Sequence, residues 1–261
     1  MRIIFVRHGE PDYRTDSLTE KGKREAELLA KRAKNWKIKD AYVSPFGRAQ
    51  ETAAPTLKAL NMEATTMPWL REYSYQVENK VCDRMSCPWD FIPSQVYEDP
   101  KMTSIDEWMS VGPNVTNPDV EANYPIVIEG LDKLIEKYGY ERCGKYYIRK
   151  DGRERFIQST VKDKCFCTAD DLPEDDSEPT ILVVCHFGII CLMLSHLLNI
   201  PFELLTHGFI LPTSSVTIVN TEERWSNEVS FRVQAMGDCT HLISENEPVS
   251  NAGSYARLHQ N

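Results

Sequence analysis

Nowhere in the 261 residues does an apolar run reach the roughly 20 residues that a bilayer span requires. The first residues lack a basic segment followed by a long apolar stretch, so no secretory signal is expected and the expected compartment is the cytoplasm. Basic charge is scarce: 30 Lys and Arg stand against 39 Asp and Glu, a net charge of −9. That balance argues against nucleic acid or an anionic membrane surface as a partner. Any anion site must then be local, built from a few cationic side chains. Cys165-Phe166-Cys167 has no second close pair and fits no standard zinc spacing, so no metal is expected there. The eight cysteines are expected to be free thiols, with Cys185 and Cys191 acting as small core hydrophobes. No internal repeat or low-complexity tract is visible.

What is present is a chain long enough for one large core, or a core with an insertion. Its hydrophobic fraction of 41% and charged fraction of 26% are those of an ordinary globular protein. The run Met1-Arg2-Ile3-Ile4-Phe5-Val6 reads as a strand that ends in Arg7-His8-Gly9. In open α/β sheets the carboxyl ends of strands are where ligands bind. A cation beside an imidazole there suits an anion, phosphate first.

Three further segments fit this one. A short strand over Asp40–Val43 leads into Ser44, a suitable N-cap, and Pro45, a suitable first helical residue. Arg48 then falls in the first turn of the helix, where its guanidinium can turn back toward the strand end. Taken alone, Arg48 reads as a solvated surface arginine, as most arginines are; Pro55 is expected to kink or shorten the helix. Ile181–Cys185 reads as a buried parallel strand ending at His186, and Phe187–Leu198 as a helix apolar almost all round. The strand, His, helix order of the opening segment thus recurs. Glu72 follows the short run Trp69-Leu70-Arg71; alone it would be read as an exposed carboxylate.

In order and rough spacing these four elements resemble the histidine phosphatase superfamily, which holds the cofactor-dependent phosphoglycerate mutases and broad-specificity phosphatases. The resemblance is good over Met1–Glu72 and Thr180–Asn220 and poor between. It implies an α/β fold: a three-layer α/β/α sandwich with a mostly parallel central sheet, the catalytic site at the carboxyl ends of the strands, and an inserted lid-like segment. It implies that His8 is a nucleophile forming a phosphohistidine, that Arg7, Arg48 and His186 bind phosphoryl oxygens with help from the N–H of Phe187, and that Glu72 protonates the leaving oxygen. The chemistry is sound, because a neutral imidazole carries a lone pair at pH 7 and a bond from its other nitrogen to a carbonyl fixes the tautomer. Gly9 joins the expected binding set. Neither a metal nor a cofactor is required, and the partner is a small phosphorylated substrate. Two positions depart from the family pattern: Arg14 stands where an Asn is usual, as a further phosphate contact or a solvated loop residue, and Phe187 stands where Gly or Ala is common.

Elsewhere, Thr19 is expected to start a helix reaching Asn35, and Val120–Tyr138 to form another. Residues 73–165 read as an insertion covering the site of a single domain. Trp89, Phe91, Tyr97, Trp108 and Met109 would line the substrate pocket or form a small satellite core. Tyr146–Ile157 reads as a hairpin turning at Asp151-Gly152, Asp170–Glu178 as an acidic linker, and Val216–Val219 and Val229–Met236 as antiparallel neighbours. His207 is a pocket candidate or, more simply, a loop histidine, and the polar tail after Ser244 is a flap or loose. Three activities fit: a phosphomonoester hydrolase, a phosphoglycerate-type mutase, and a non-catalytic phospho-ligand binder. The insertion does not resemble the one that mutases carry, which favours the hydrolase. The oligomeric state stays open.

Overall fold

In the computed structural model of the chain, which describes residues 1–150, 178–225, 227–254 and 256–260, the opening apolar run forms β1 (Arg2–Arg7) in the middle of a sheet. After it come the short strands β2 (Pro11–Asp12) and β3 (Ser17–Leu18), then α1 (Glu20–Ala33), β4 (Asp40–Val43), α2 (Gly47–Leu60) and β5 (Ala64–Thr66). The middle of the chain holds β6 (Val77–Asn79), β7 (Arg84–Ser86), α3 (Pro93–Tyr97), α4 (Asp119–Glu136), β8 (Tyr140–Cys143) and β9 (Tyr146–Arg149). The last third holds β10 (Thr180–Cys185), α5 (Phe187–Leu198), α6 (Phe202–Gly208), β11 (Val216–Trp225), β12 (Glu228–Asp238) and α7 (Thr240–Ile243).

Eight strands form the central sheet in the order β5-β4-β10-β1-β11-β12-β9-β8. β1 is buried on both faces, and its side chains divide with period two. Ile3 and Phe5 join a core with Leu131 of α4 and Ile189 of α5, while Ile4 and Val6 join one with Leu29 of α1 and Ala49 and Ala53 of α2. Helices therefore cover both faces, as the three-layer fold requires. Ile189 to Leu194 of α5 are all buried, so this helix is enclosed rather than amphipathic.

The sheet is mixed rather than mostly parallel. β5, β4, β10 and β1 run parallel, whereas β1–β11, β11–β12, β12–β9 and β9–β8 are antiparallel. Parallel neighbours need a long crossover, which α1, α2 and their loops supply. β11–β12 and β8–β9 are local hairpins, the latter turning at Gly144 with φ +59°, so the hairpin involving Tyr146–Arg149 closes with the preceding strand. The expected Asp151-Gly152 turn, Cys165 and Cys167, and residues 170–177 of the expected linker lie outside the described residues.

Other local expectations divide. Thr19 caps α1 by accepting from the N–H of Gly22 at 3.1 Å. α2 starts later than expected: Phe46 is the N-cap, and Ser44 Oγ accepts from the N–H of Phe46 at 3.3 Å, ahead of the helix. Pro55 lies inside α2 without shortening it, since the helix runs on to Leu60. Trp108, Met109 and Phe91 are buried in the main core rather than a satellite, with Trp108 stacked on Phe202 at 4.6 Å between ring centroids. Tyr97 is exposed and meets His207 edge-on. Cys185 and Cys191 are buried free thiols. No helix of the described residues is long and apolar enough to cross a membrane.

One buried carboxyl ties α1 to the loops at the end of β1. Glu25, fully buried, accepts from the N–H of Glu10 at 2.8 Å and from Thr213 Oγ1 at 3.1 Å, next to Ser214, whose N–H donates to the His8 carbonyl at 3.0 Å. Burial pushes Glu25 up from 4.5 to about 7. Between those values the folded chain keeps a proton that the unfolded chain has lost, so stability falls as pH rises through this window and levels off above it. Glu25→Gln cannot ionise. Its unfolding free energy, from urea titrations at pH 5 and pH 8, should fall less than that of the wild type by about 2–3 kcal/mol. An identical fall in both proteins would show that Glu25 is already ionised at pH 5.

Candidate active site

β1 and β10 pair in parallel with Arg7 opposite Cys185. The next residue on each strand is therefore a histidine at the carboxyl edge, and the rings of His8 and His186 stand 5.0 Å apart between centroids. Both are buried, at 2% and 0% exposure. His8 Nδ1 lies 2.8 Å from the Gly9 carbonyl. A carbonyl only accepts, so Nδ1 carries the hydrogen and Nε2 carries the lone pair. Burial holds His8 well below its usual range, with Arg7 and Arg48 adding to the effect. His186 is depressed likewise by burial, with His8, Arg48 and Arg7 contributing. Both rings are neutral at pH 7.

Two guanidinium groups complete the centre. Arg7 donates from Nη1 to the Leu211 carbonyl at 2.6 Å. Arg48 is ion-paired with Asp16, whose carboxylate also accepts from the N–H of Gly47 at 2.7 Å. The Arg48 guanidinium rests on the Phe46 ring at 4.7 Å and near that of Tyr13 at 5.5 Å. Buried polar groups are normally hydrogen-bonded. Here Arg7 Nε, Arg48 Nε and His186 Nδ1 are buried without a partner among the described residues. His186 is instead anchored through Nε2 to Ser44 Oγ at 2.7 Å.

Glu72 follows the helical turn Pro68–Leu70. Its Oε1 accepts from the N–H groups of Tyr73 at 2.9 Å and Ile189 at 3.1 Å, bringing the carboxyl to the start of α5. Burial raises its pKa, against the pull of those bonds and of Arg7. Trp89 closes over the same spot. A Cβ on Gly188 would stand 2.6 Å from Trp89 Nε1 and 2.9 Å from Glu72 Oε1, so only glycine admits both neighbours. Phe187 meets the Trp89 ring edge-on at 5.6 Å and lies under Arg7.

Of the residues expected from sequence, Arg7, His8, Arg48, Glu72, His186 and Phe187 converge. Gly9 is adjacent, but its N–H is directed to Thr52 Oγ1 at 2.9 Å. Arg14 is not brought in: its side chain is 89% exposed and pairs with Asp12 at 3.0 Å. Asp16, Tyr13 and Ser44 as a histidine anchor were not singled out for these positions, whereas Trp89, one of the expected pocket aromatics, borders the site. Asp16 and Arg48 are 32 residues apart in the chain, and nothing periodic links them. A cleft of about 320 Å³ adjoins the centre, bordered by Arg7, Trp89, Asp90 and Phe187, the segment Phe209–Pro212 and the C-terminal residues around Gly253. The tail after Ser244 is thus packed beside Arg7, and Ser250 Oγ donates to Glu10 at 2.5 Å.

Comparison with known proteins agrees with this geometry. The sequence matches the histidine phosphatase superfamily (branch 1) over residues 3–81 and 144–232. The chain belongs to that superfamily. Over 96 residues it is 35% identical to the probable phosphoglycerate mutase GpmB of Yersinia pestis, a match covering 33% of this chain and 45% of that protein. The chain thus spans less than half the length of the curated relatives it matches. Solved structures similar to it include a mycobacterial glucosyl-3-phosphoglycerate phosphatase (16% identity, TM-score 0.52, covering 90% of this chain and 98% of that one). Two others are an Entamoeba histolytica phosphoserine phosphatase in complex with 3-phosphoglyceric acid (16%, 0.52, 92% and 98%) and a putative alpha-ribazole-5'-P phosphatase from Escherichia coli (18%, 0.53, 91% and 97%). At these identities the structures share the histidine phosphatase fold.

Ser44 is the partner on which the His186 ring orientation rests. Ser44→Ala leaves Nε2 buried and unpaired, a cost of about 1–3 kcal/mol. Urea unfolding should record that loss. A change under 0.5 kcal/mol would mean that the ring has another support.

Proposed function

We propose that the chain is a phosphomonoester hydrolase that works through a phosphohistidine on His8 and acts on a small phosphorylated metabolite. The observation that supports this best is the state of His8: buried, neutral, its tautomer set by the Gly9 carbonyl, beside three buried nitrogens that lack partners among the described residues. A phosphoryl group on Nε2 gives those nitrogens an oxygen each, which offsets the desolvation they otherwise bear.

In this reading His8 Nε2 attacks phosphorus as the ester P–O bond breaks. Arg7, Arg48 and His186 take the equatorial oxygens, with the Phe187 N–H at the start of α5 as a further donor. Glu72, whose pKa burial raises, delivers a proton to the departing alkoxide. As a carboxylate it then takes a proton from the water that attacks the phosphohistidine, and His8 is restored as phosphate leaves. Gly9 acts through His8 Nδ1 rather than through its own N–H. Arg14, exposed on the β2–β3 loop, acts on substrate only if that loop folds inward. We take the chain as one domain, working in the cytoplasm without a cofactor; of the expected insertion, Trp89 reaches the site, whereas α4, β8 and β9 belong to the central layers.

The relationship to a probable phosphoglycerate mutase supports a second reading, in which the same phosphohistidine is passed to a second substrate instead of to water. The insertion after Glu72 favours the hydrolase.

Hydrolysis of p-nitrophenyl phosphate, with EDTA present, should occur in the wild type and fall by about three orders of magnitude or more in His8→Ala. Rapid quenching of the wild type should trap acid-labile, base-stable phosphate on His8. Trapping on His186 would reverse the two roles, and phosphoglycerate interconversion without net hydrolysis would favour the mutase. Glu72→Gln should slow an alkyl phosphate at least tenfold more than p-nitrophenyl phosphate, whose leaving group needs no proton. Equal slowing of both would remove Glu72 as the acid.

A further inference from the structure

The cleft beside Arg7 plays no part in the chemistry just described, yet it opens where the alcohol of an ester must lie. Glu72 has to reach the leaving oxygen, and the side chain packed against Glu72 and Gly188 is Trp89, which borders the cleft together with Phe187. The leaving group therefore points past these two rings. Beyond them, Phe209 and Ile210 line the cleft while staying about half exposed, at 47% and 53%. Large apolar side chains left in contact with water at the rim of a concave site mark a surface that gains by being covered. The charges point the same way. Among the described residues that line the cleft, Arg7 is the only cation, and in the proposed reaction it is spent on the phosphoryl group. Asp90 is the only carboxylate, paired on its outer side with Arg84 at 3.1 Å. A second anionic group on the alcohol would meet no further cation: it would face Asp90 and a wall that is apolar but for the hydroxyls of Thr206 and Ser254 and the indole N–H of Trp89, too little to replace its hydration.

We propose that this cleft is the leaving-group subsite and that it selects phosphate monoesters of apolar, uncharged alcohols over esters carrying a second acidic group. The inference rests on reading His8 as the phosphorylated residue.

The test is kcat/KM of the full chain for n-alkyl phosphates from ethyl to hexyl, for 3-phosphoglycerate, and for acetyl phosphate as a small activated donor. Burying each added methylene should raise kcat/KM about three- to fourfold until the cleft is full. 3-Phosphoglycerate should lie at least about tenfold below hexyl phosphate. Ile210→Asp, a change at a half-exposed position, should lower the hexyl-to-ethyl ratio about tenfold or more. A flat chain-length series, a preference for 3-phosphoglycerate, or a ratio untouched by Ile210→Asp would overturn the subsite while leaving hydrolysis through His8 intact. Release of phosphate from none of these compounds, acetyl phosphate included, would overturn the hydrolase reading and this inference with it.

Discussion

Parallel pairing of β1 with β10 in one register, Arg7 opposite Cys185, is what the centre depends on. Side chains alternate along a strand, so a slip of one residue would turn every side chain of β1 to the other face of the sheet. Ile3 and Phe5 would leave one core and Ile4 and Val6 the other, and the two histidines would no longer be neighbours. The register is fixed from both faces, because β1 and β10 are covered on each side by helices. A central strand of this kind cannot shift to accommodate its active-site residue. The geometry of His8 and His186 is thereby a by-product of core packing.

Rigidity alone would not make the imidazoles reactive. Two guanidinium groups held beside two buried rings favour the neutral, nucleophilic form of each ring, and burial acts in the same direction. The same burial favours the protonated, proton-donating form of Glu72. Burial thus pushes the two imidazoles and the carboxyl toward opposite protonation states, the ones that the proposed nucleophile and acid require. The cost of burying these groups together is limited by short-range partners: Asp16 on Arg48, the Leu211 carbonyl on Arg7, the Ser44 hydroxyl on His186. Each of these leaves at least one donor or acceptor of its partner uncommitted.

Much of this was legible in the sequence because it is written in contiguous segments. An apolar strand, a histidine and a helix start can be read from ten residues, and the recurrence of that order at His8 and His186 identifies two strand ends at one sheet edge. Arg48 and Glu72 were placed by resemblance and arrive at the same edge. Contacts that join distant residues were not legible. Asp16 meets Arg48 through a loop residue at φ +50°, and Ser44 looked like a helix cap because its partner, His186, lies 142 residues away. Arg14 looked like a cation for phosphate because it follows the nucleophile by six positions, but the neighbouring Asp12 engages it at the surface. The aromatic stretch after Tyr73 has no period to reveal which rings turn inward. Trp108 entered the main core, whereas Trp89 reached the site.

That last division bears on how members of one superfamily come to differ. The half of the sheet that runs parallel, β5-β4-β10-β1, positions the phosphoryl centre and is covered by the matched residues. The family match leaves residues 82–143 out, and Trp89 lies inside that gap while its contact, Gly188, lies on α5, directly after His186. A segment outside the family match thus touches a segment inside it, beside Glu72. The glycine is what permits it, since any side chain there would push the indole away from Glu72. Changes in the inserted segment can then reshape what sits beside Glu72 without disturbing the register of β1 on β10. Under the proposed hydrolysis, a centre fixed by strand pairing places few demands on the alcohol, and the walls beyond Trp89 are where a preference among esters would be set.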